Sequence, residues 1–325
     1  MQKKSNLKIA VSSHSFCKNR LLRSALLKAF SDAEIIFSTE TSDVLAEDRL
    51  IDLAQECEAL IVGREIINSS VLKNLPILKF ISKYGVGLEN IDFEATKEAN
   101  VEVYFESGVN STEVAELAIC LMISVLRKVA LSDRNLHKGV WLKDGGTNLS
   151  GKTVGIIGCG NIGSKVAKIL KAMDCHILIN DLVDKTTFAS SIGAEFVTRK
   201  EEIYERAHVI SIHTPLTSET KHLFSTDVFS KLRSGACLIN TARGAIIDEK
   251  ALVVALKNGR LLGAGLDVFE REPLTNPDLF NLENFVGTAH IGGSSSEASL
   301  KMGNAAIRGL KTMLTSSYGQ QGADN

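Results

Sequence analysis

The sequence predicts an α/β protein of two doubly wound parallel-sheet domains. Three features carry that prediction. Short β-branched runs alternate with amphipathic stretches along almost the whole chain, which is the rhythm of βαβ units. At 325 residues the chain exceeds what one hydrophobic core usually organises. A polar break, Lys143-Asp-Gly-Gly-Thr-Asn-Leu-Ser-Gly151, is rich in turn formers and separates two alternating sets.

In the first set, apolar runs predict strands at Lys8–Val11, Glu34–Phe37, Ala59–Val62, Leu78–Ser82 and Val101–Tyr104. Helical patterns fall between them at Lys18–Phe30, Asp43–Glu56 and Phe93–Ala99. Ser111 is suited to cap a long helix, with Glu113 and Glu116 near the positive end of its dipole. That helix is expected to run through Leu126 toward His137. The second set predicts strands at Val154–Ile157, His176–Asn180, Glu195–Val197, Val209–Ile212, Cys237–Asn240, Gly263–Leu266 and Phe285–Gly287. After Ile291 a Gly/Ser stretch leads into a last helix expected to end near Leu314, with a fraying polar tail from Ser316.

Composition removes several classes of function. Basic and acidic residues nearly cancel, 37 against 38, so there is no cationic excess to hold a nucleic-acid backbone. The most apolar window, Ala115–Leu131, is interrupted by Glu116, Ser124, Arg127 and Lys128 and cannot cross a bilayer. No signal-peptide core precedes the first strand. The six cysteines are scattered, with no C-x-x-C and no histidines at zinc spacing. Reduced thiols in a cytoplasmic protein without a metal are the expectation.

The strongest local signal is Gly158-Cys-Gly160-Asn-Ile-Gly163. It follows the apolar strand Val154–Ile157 directly and opens a helical pattern, as a dinucleotide-binding turn requires. Gly158 permits the tight turn, Gly160 lets backbone approach a pyrophosphate, and Gly163 lets helix and strand pack closely. A second strand ends at Asp181, eighteen residues past Gly163. A carboxylate there accepts hydrogen bonds from ribose hydroxyls and repels a 2′-phosphate, which favours NAD over NADP.

Ligands of such sheets lie beyond the carboxyl ends of the strands. Those ends carry His213-Thr214-Pro215, Thr241-Ala242-Arg243, Asp267 with Glu272, and His290-Ile-Gly292. A fixed guanidinium at Arg243 can pair with a substrate carboxylate. His290 can exchange a proton near neutrality, and a carboxylate at Glu272 can orient its ring. Taken singly, each has a plainer reading: Arg243 in an ion pair with Asp267 or Glu270, Glu272 in a solvated turn, His290 as a structural histidine. Joint placement after successive strands favours the catalytic set. His137, His176 and His208 read as structural, and His222 as surface.

Together, Lys83-Tyr-Gly-Val-Gly-Leu-Glu-Asn-Ile-Asp92, Val114-Ala-Glu116, the glycine loop, His213-Thr-Pro215, Asn240-Thr-Ala-Arg-Gly244, Leu266-Asp-Val-Phe-Glu-Arg-Glu-Pro273 and His290-Ile-Gly-Gly293 resemble the D-isomer-specific 2-hydroxyacid dehydrogenases. The likeness spans roughly Leu60 to Leu310. It is greatest to members that oxidise D-3-phosphoglycerate, especially short forms without a regulatory domain; none follows Leu314, so feedback through such a module is not expected. The resemblance implies a flavodoxin-like substrate domain, residues 1–105 plus 291–325, and an inserted Rossmann-like NAD domain, residues 106–290. It implies a homodimer through the NAD domain. By position it implies that Arg243 binds the substrate carboxylate and that His290, paired with Glu272, is the acid/base. Asn161 and Ile162 meet the pyrophosphate and Asp181 the ribose. Thr214, Thr241 and Asp267 line the nicotinamide side, and Gly292 follows the histidine. The Gly85-Val86-Gly87 amides resemble a carboxylate-holding turn.

Ala289 departs from the proline common before that histidine. Arg64 is the candidate for a distal phosphate and Lys83 a second. Glyoxylate, hydroxypyruvate and sugar-derived acids are the competing substrates. An NAD-sensing corepressor-like module is the alternative from another class; all three catalytic positions are filled here and no extended peptide-docking appendage is visible.

Overall fold

The computed structural model describes residues 7–42, 44–274 and 277–320 and divides the chain into two units: residues 1–110 with 295–325, and residues 111–294. In the first unit β1 (Lys8–Val11), β2 (Glu34–Phe37), β3 (Ala59–Val62), β4 (Phe80–Lys83) and β5 (Glu102–Tyr104) form a parallel sheet in the order β2-β1-β3-β4-β5. Every residue of β3 and β4 is buried, as strands covered on both faces require. Apolar clusters lie around Phe16, Leu22, Leu26 and Leu310, and around Leu50, Leu60, Val71 and Ile81. The last helix, Ser296–Gln320, packs so closely that a Cβ at Gly309 would lie 1.8 Å from the Tyr104 ring.

The second unit holds β6 (Thr153–Ile157), β7 (His176–Asn180), β8 (Glu195–Phe196), β9 (Val209–Ile212), β10 (Ala236–Asn240), β11 (Leu261–Leu266) and β12 (Phe285–Gly287). All pairs are parallel, in the order β12-β11-β10-β9-β6-β7-β8. Chain order therefore reverses across β6, a topological switch point. One level row crosses the sheet: Gly287 pairs with Leu266, Leu266 with Asn240, Asn240 with Ile212, Ile212 with Ile157, and Ile157 with Asn180. The next residue of each strand leaves the sheet at the same edge. Those residues are Thr288, Asp267, Thr241, His213, Gly158 and Asp181.

Several elements differ from the sequence expectation. The expected helix Lys18–Phe30 is two, His14–Lys18 and Arg20–Ala29, because the Asn19 side chain accepts from the Leu21 and Leu22 amides and starts a new helix. The second expected helix begins at Glu47; its Asp43 start lies outside the described residues. A short helix, Ser69–Lys73, was not expected and is capped by Asn68. The long helix starts with Ser111 as its first residue, and it ends at Leu126. Lys128 turns left-handed at φ 53°, and a second helix runs Val129–His137. The polar break causes this: the Thr147 amide takes the Leu126 carbonyl at 2.9 Å, and the Arg127 guanidinium takes the Gly145 carbonyl at 2.7 Å. The last helix continues to Gln320 rather than stopping near Leu314. Thr312 and Thr315 turn their hydroxyls back onto the Arg308 and Lys311 carbonyls, so neither breaks it.

Candidate active site

The glycine loop follows β6 and leads into helix Asn161–Ala172. Gly158 sits at φ 88°, and a Cβ there would lie 2.7 Å from the His213 backbone. Only glycine fits. A Cβ at Gly163 would lie 2.1 Å from the Gly158 carbonyl oxygen, so this residue lets the helix seat on the turn. At Gly160 the same test meets nothing within 4 Å. The backbone there borders open space at the helix N-terminus, where free amides favour an anion.

Asp181 closes the loop from β7. One carboxylate oxygen accepts from the Cys159 amide at 2.5 Å, the other from the Val183 amide at 2.9 Å. Burial, with the Asp181 charge adding to it, pushes the Cys159 thiol up to about 11, so it stays protonated and inert. Across the switch point, the Thr214 and Thr241 hydroxyls are buried without hydrogen-bond partners. Buried polar groups are normally satisfied. Two unsatisfied hydroxyls beside an open glycine turn fit a polar dinucleotide over this edge. His213 bonds the Ser211 hydroxyl through Nε2 at 2.8 Å, while its buried Nδ1 has no partner. Burial pushes this imidazole down to about 3, which keeps it neutral.

The two residues expected to form an acid/base pair, Glu272 and His290, meet at the β11 and β12 ends of the same edge. His290 Nδ1 donates to Glu272 Oε2 at 2.7 Å, and Glu272 Oε1 accepts from the Phe269 amide at 3.2 Å. Because the carboxylate can only accept, Nδ1 carries a proton and Nε2 is left for exchange with a substrate. His290 is left-handed at φ 53°. Asp267, 1% exposed, holds it there: its carboxylate accepts from the Thr288 hydroxyl at 2.6 Å and from the Ile291 and Gly292 amides at 2.8 and 2.9 Å. Its carbonyl accepts from the His290 amide at 2.9 Å.

Arg243 is half-buried, and its Nη1 donates to the Ala242 carbonyl at 2.7 Å. The Asn240 side chain braces that loop, accepting from the Ala242 amide and donating to the Arg243 carbonyl. Of the two carboxylates that offered Arg243 a plainer role, Asp267 accepts from the histidine loop and Glu270 bonds His222. Gly244 lies against Phe269, where a Cβ would come within 1.8 Å of its carbonyl carbon. The arginine loop and the glutamate loop are thus in backbone contact.

In the first unit Arg64 is exposed after β3. The Gly85-Val86-Gly87 turn follows β4, with Gly85 at φ 124°. Lys83 differs from its expected part. The residue is buried, and its ammonium donates to the Gly63 carbonyl and, at 2.8 Å, to Asn90 Oδ1, so it is turned away from solvent. The roles of Thr288, His222 and Glu270 were not legible: a threonine after a strand and a charged pair 48 residues apart carry no motif.

A D-isomer specific 2-hydroxyacid dehydrogenase NAD-binding domain matches residues 119–292. The chain is 36% identical over 271 residues to a glyoxylate reductase of Thermococcus litoralis, covering 80% of this chain and 82% of that protein. It is 35% identical over 284 residues to a D-3-phosphoglycerate dehydrogenase of Methanocaldococcus jannaschii, covering 86% of this chain and 54% of that protein, so it spans about half the length of that relative. A glyoxylate reductase from Paecilomyes thermophila has a similar structure, with a TM-score of 0.82 at 26% identity over 95% of each chain. With the glycine turn and the level strand edge, these likenesses show that the chain belongs to the D-isomer specific 2-hydroxyacid dehydrogenases and carries their NAD-binding domain.

Proposed function

We propose that the chain interconverts a D-2-hydroxy acid and its 2-keto acid, with D-3-phosphoglycerate and 3-phosphohydroxypyruvate as the preferred pair. The His290–Glu272 hydrogen bond at the carboxyl edge of the NAD-binding sheet is the observation that carries this reading. Bound NAD supplies the hydride chemistry at its nicotinamide ring. Arg243 pairs with the substrate carboxylate and polarises the neighbouring carbonyl. His290 Nε2 gives its proton to the C2 oxygen in the reductive direction and takes it back in the oxidative one. Glu272 fixes the tautomer and stabilises the imidazolium. Gly158, Gly160, Asn161, Ile162 and Gly163 hold the pyrophosphate and Asp181 the ribose. His213, Thr214, Pro215, Thr241, Ala242, Asp267 and Gly292 border the nicotinamide.

Arg64 and the amides of Gly85, Val86 and Gly87 are the substrate contacts we assign to the first unit. Arg64, exposed while Lys83 is buried, supports the phosphorylated substrate. A glyoxylate or hydroxypyruvate reductase is the second reading, favoured by the 36% identity to a protein so named. Steady-state rates over a panel of 2-keto acids with NADH test this. A kcat/KM highest for 3-phosphohydroxypyruvate, lost selectively in Arg64→Ala, supports the first reading; indifference to the phosphate overturns it.

The enzyme is proposed to act as a homodimer through the NAD domain. Helix Val129–His137 buries none of its side chains, and the segment after it exposes Val140, Leu142 and Trp141, the last at 79%. Such a contiguous apolar surface suits a partner. Among the described residues all six cysteines are free, which suits a reducing cytoplasm. No helix among those residues is long and apolar enough to cross a membrane.

A further inference from the structure

His222 is a non-glycine residue at φ 51° in the loop that leaves the cofactor edge at His213-Thr214-Pro215. That loop is itself pinned, since the Thr220 hydroxyl donates to the Pro215 carbonyl at 2.7 Å. His222 reaches two neighbouring loops at once. Its amide donates to the Ala245 carbonyl at 2.8 Å, two residues after Arg243. Its Nε2 bonds Glu270 Oε1, two residues before Glu272. The Glu270 amide is in turn held by Glu249 Oε1 at 2.6 Å. Glu249 is buried at the start of helix Glu249–Lys257, and burial first, then the nearby Glu270 charge, raise its carboxyl above the usual range.

The turn from Glu270 to Pro273 is exposed. Glu272 must nevertheless keep one oxygen on His290 Nδ1 through every turnover. The Phe269 amide on Glu272 Oε1 and Glu249 on the Glu270 amide hold the turn, and the His222–Glu270 contact ties it to the loop that also meets Ala245.

We propose that His222, through Glu270, is a positioning residue that clasps the Arg243 and Glu272 loops and so keeps Glu272 on His290. This rests on the catalytic reading above. The tether is part-exposed, so its effect is modest, as surface pairs are. It acts on the orientation of the proton carrier, so it should appear in kcat rather than in NADH affinity.

The test uses the full-length enzyme and three substitutions. Glu270→Ala removes the acceptor. His222→Asn tolerates the left-handed backbone but is too short to reach. Glu270→Gln keeps an oxygen for the His222 N–H. Glu270→Ala and His222→Asn should each lower kcat about fivefold. NADH Kd should stay within twofold and Tm within about 2 °C. Glu270→Gln should retain most of kcat, and the Glu270→Ala/His222→Asn double variant should be no slower than either single one.

Wild-type kcat in both single variants overturns the clasp. So does a loss that multiplies in the double variant, one shared equally by Glu270→Gln, or one accompanied by weakened NADH binding and a fallen Tm. A crystal structure of Glu270→Ala gives a readout without turnover: a displaced Glu272 supports the clasp, and an undisturbed Glu272–His290 bond overturns it. If wild-type protein turns over no acid while Glu272 is displaced in that crystal, the catalytic reading fails and the clasp stands. If His290→Asn is dead while the clasp variants behave as wild type, only the clasp fails.

Discussion

Asp267 holds His290 by the backbone. Its carbonyl accepts from the His290 amide at 2.9 Å, and its buried carboxylate gathers the Thr288 hydroxyl and the Ile291 and Gly292 amides from either side. Three donors converge on one carboxylate, so an amide in its place turns one acceptor into a donor facing an N–H or O–H. Asp267→Asn should cost about 2 kcal/mol of stability, the scale of an unsatisfied buried group. It should lower kcat by at least tenfold through a misplaced His290. Urea unfolding and turnover on one preparation check both; a variant that melts and turns over like wild type removes this role.

Gly244 sets the spacing of the arginine and glutamate loops. A Cβ there meets three Phe269 backbone atoms between 1.8 and 2.4 Å, and backbone cannot rotate aside as a side chain can. Gly244→Ala should destabilise the protein by roughly 3 kcal/mol or force the loops apart. Differential scanning calorimetry and the substrate KM read the two outcomes; unchanged values in both contradict the contact.

His213 predicts an acid limb. Burial lowers its imidazole to about 3 from 6.5, so the folded chain keeps it neutral at pH values where the unfolded chain protonates it. Unfolding then takes up a proton. The stabilisation is complete above pH 6.5 and is lost as pH falls toward 3, on the order of 2 kcal/mol by pH 5. In His213→Asn the fall in urea midpoint between pH 7 and pH 5 should be shallower than in wild type. An equally steep fall would assign the limb to other groups.

Asp181 accepts from the Cys159 and Val183 amides, one on each oxygen, which fixes its charge at the end of β7, and the proposed ribose contact there would disfavour a 2′-phosphate. Asp181→Ala should raise the NADH Kd about tenfold, or ~1.4 kcal/mol. It should also narrow the preference for NADH over NADPH, measured by fluorescence titration of each. An unaltered preference would show that selectivity resides elsewhere.

The strands were legible because each is a short apolar run bounded by turn formers, and the glycine turn because its spacing is a steric requirement of strand, turn and helix. The helix break at Lys128 was not. It depends on residues 145–147 returning to claim the Leu126 carbonyl and the Arg127 guanidinium, a tertiary contact with no periodicity. The same holds at the site. Strand ends pointed to Arg243, Glu272 and His290, but which carboxylate each cation would meet depends on register. Asp267 was legible as a strand-end carboxylate, but its hold on the histidine loop was not: only the level pairing of β10, β11 and β12 brings Thr288 to it.

His290→Asn tests the central assignment most directly, because asparagine accepts the left-handed backbone at this position and leaves the loop undisturbed. Single-turnover reduction of the preferred 2-keto acid, followed at 340 nm beside an NADH titration, should show a rate loss on the order of 10³-fold with NADH affinity within twofold of wild type. A variant that binds NADH normally and still turns over within tenfold of wild type would mean that another group carries the proton.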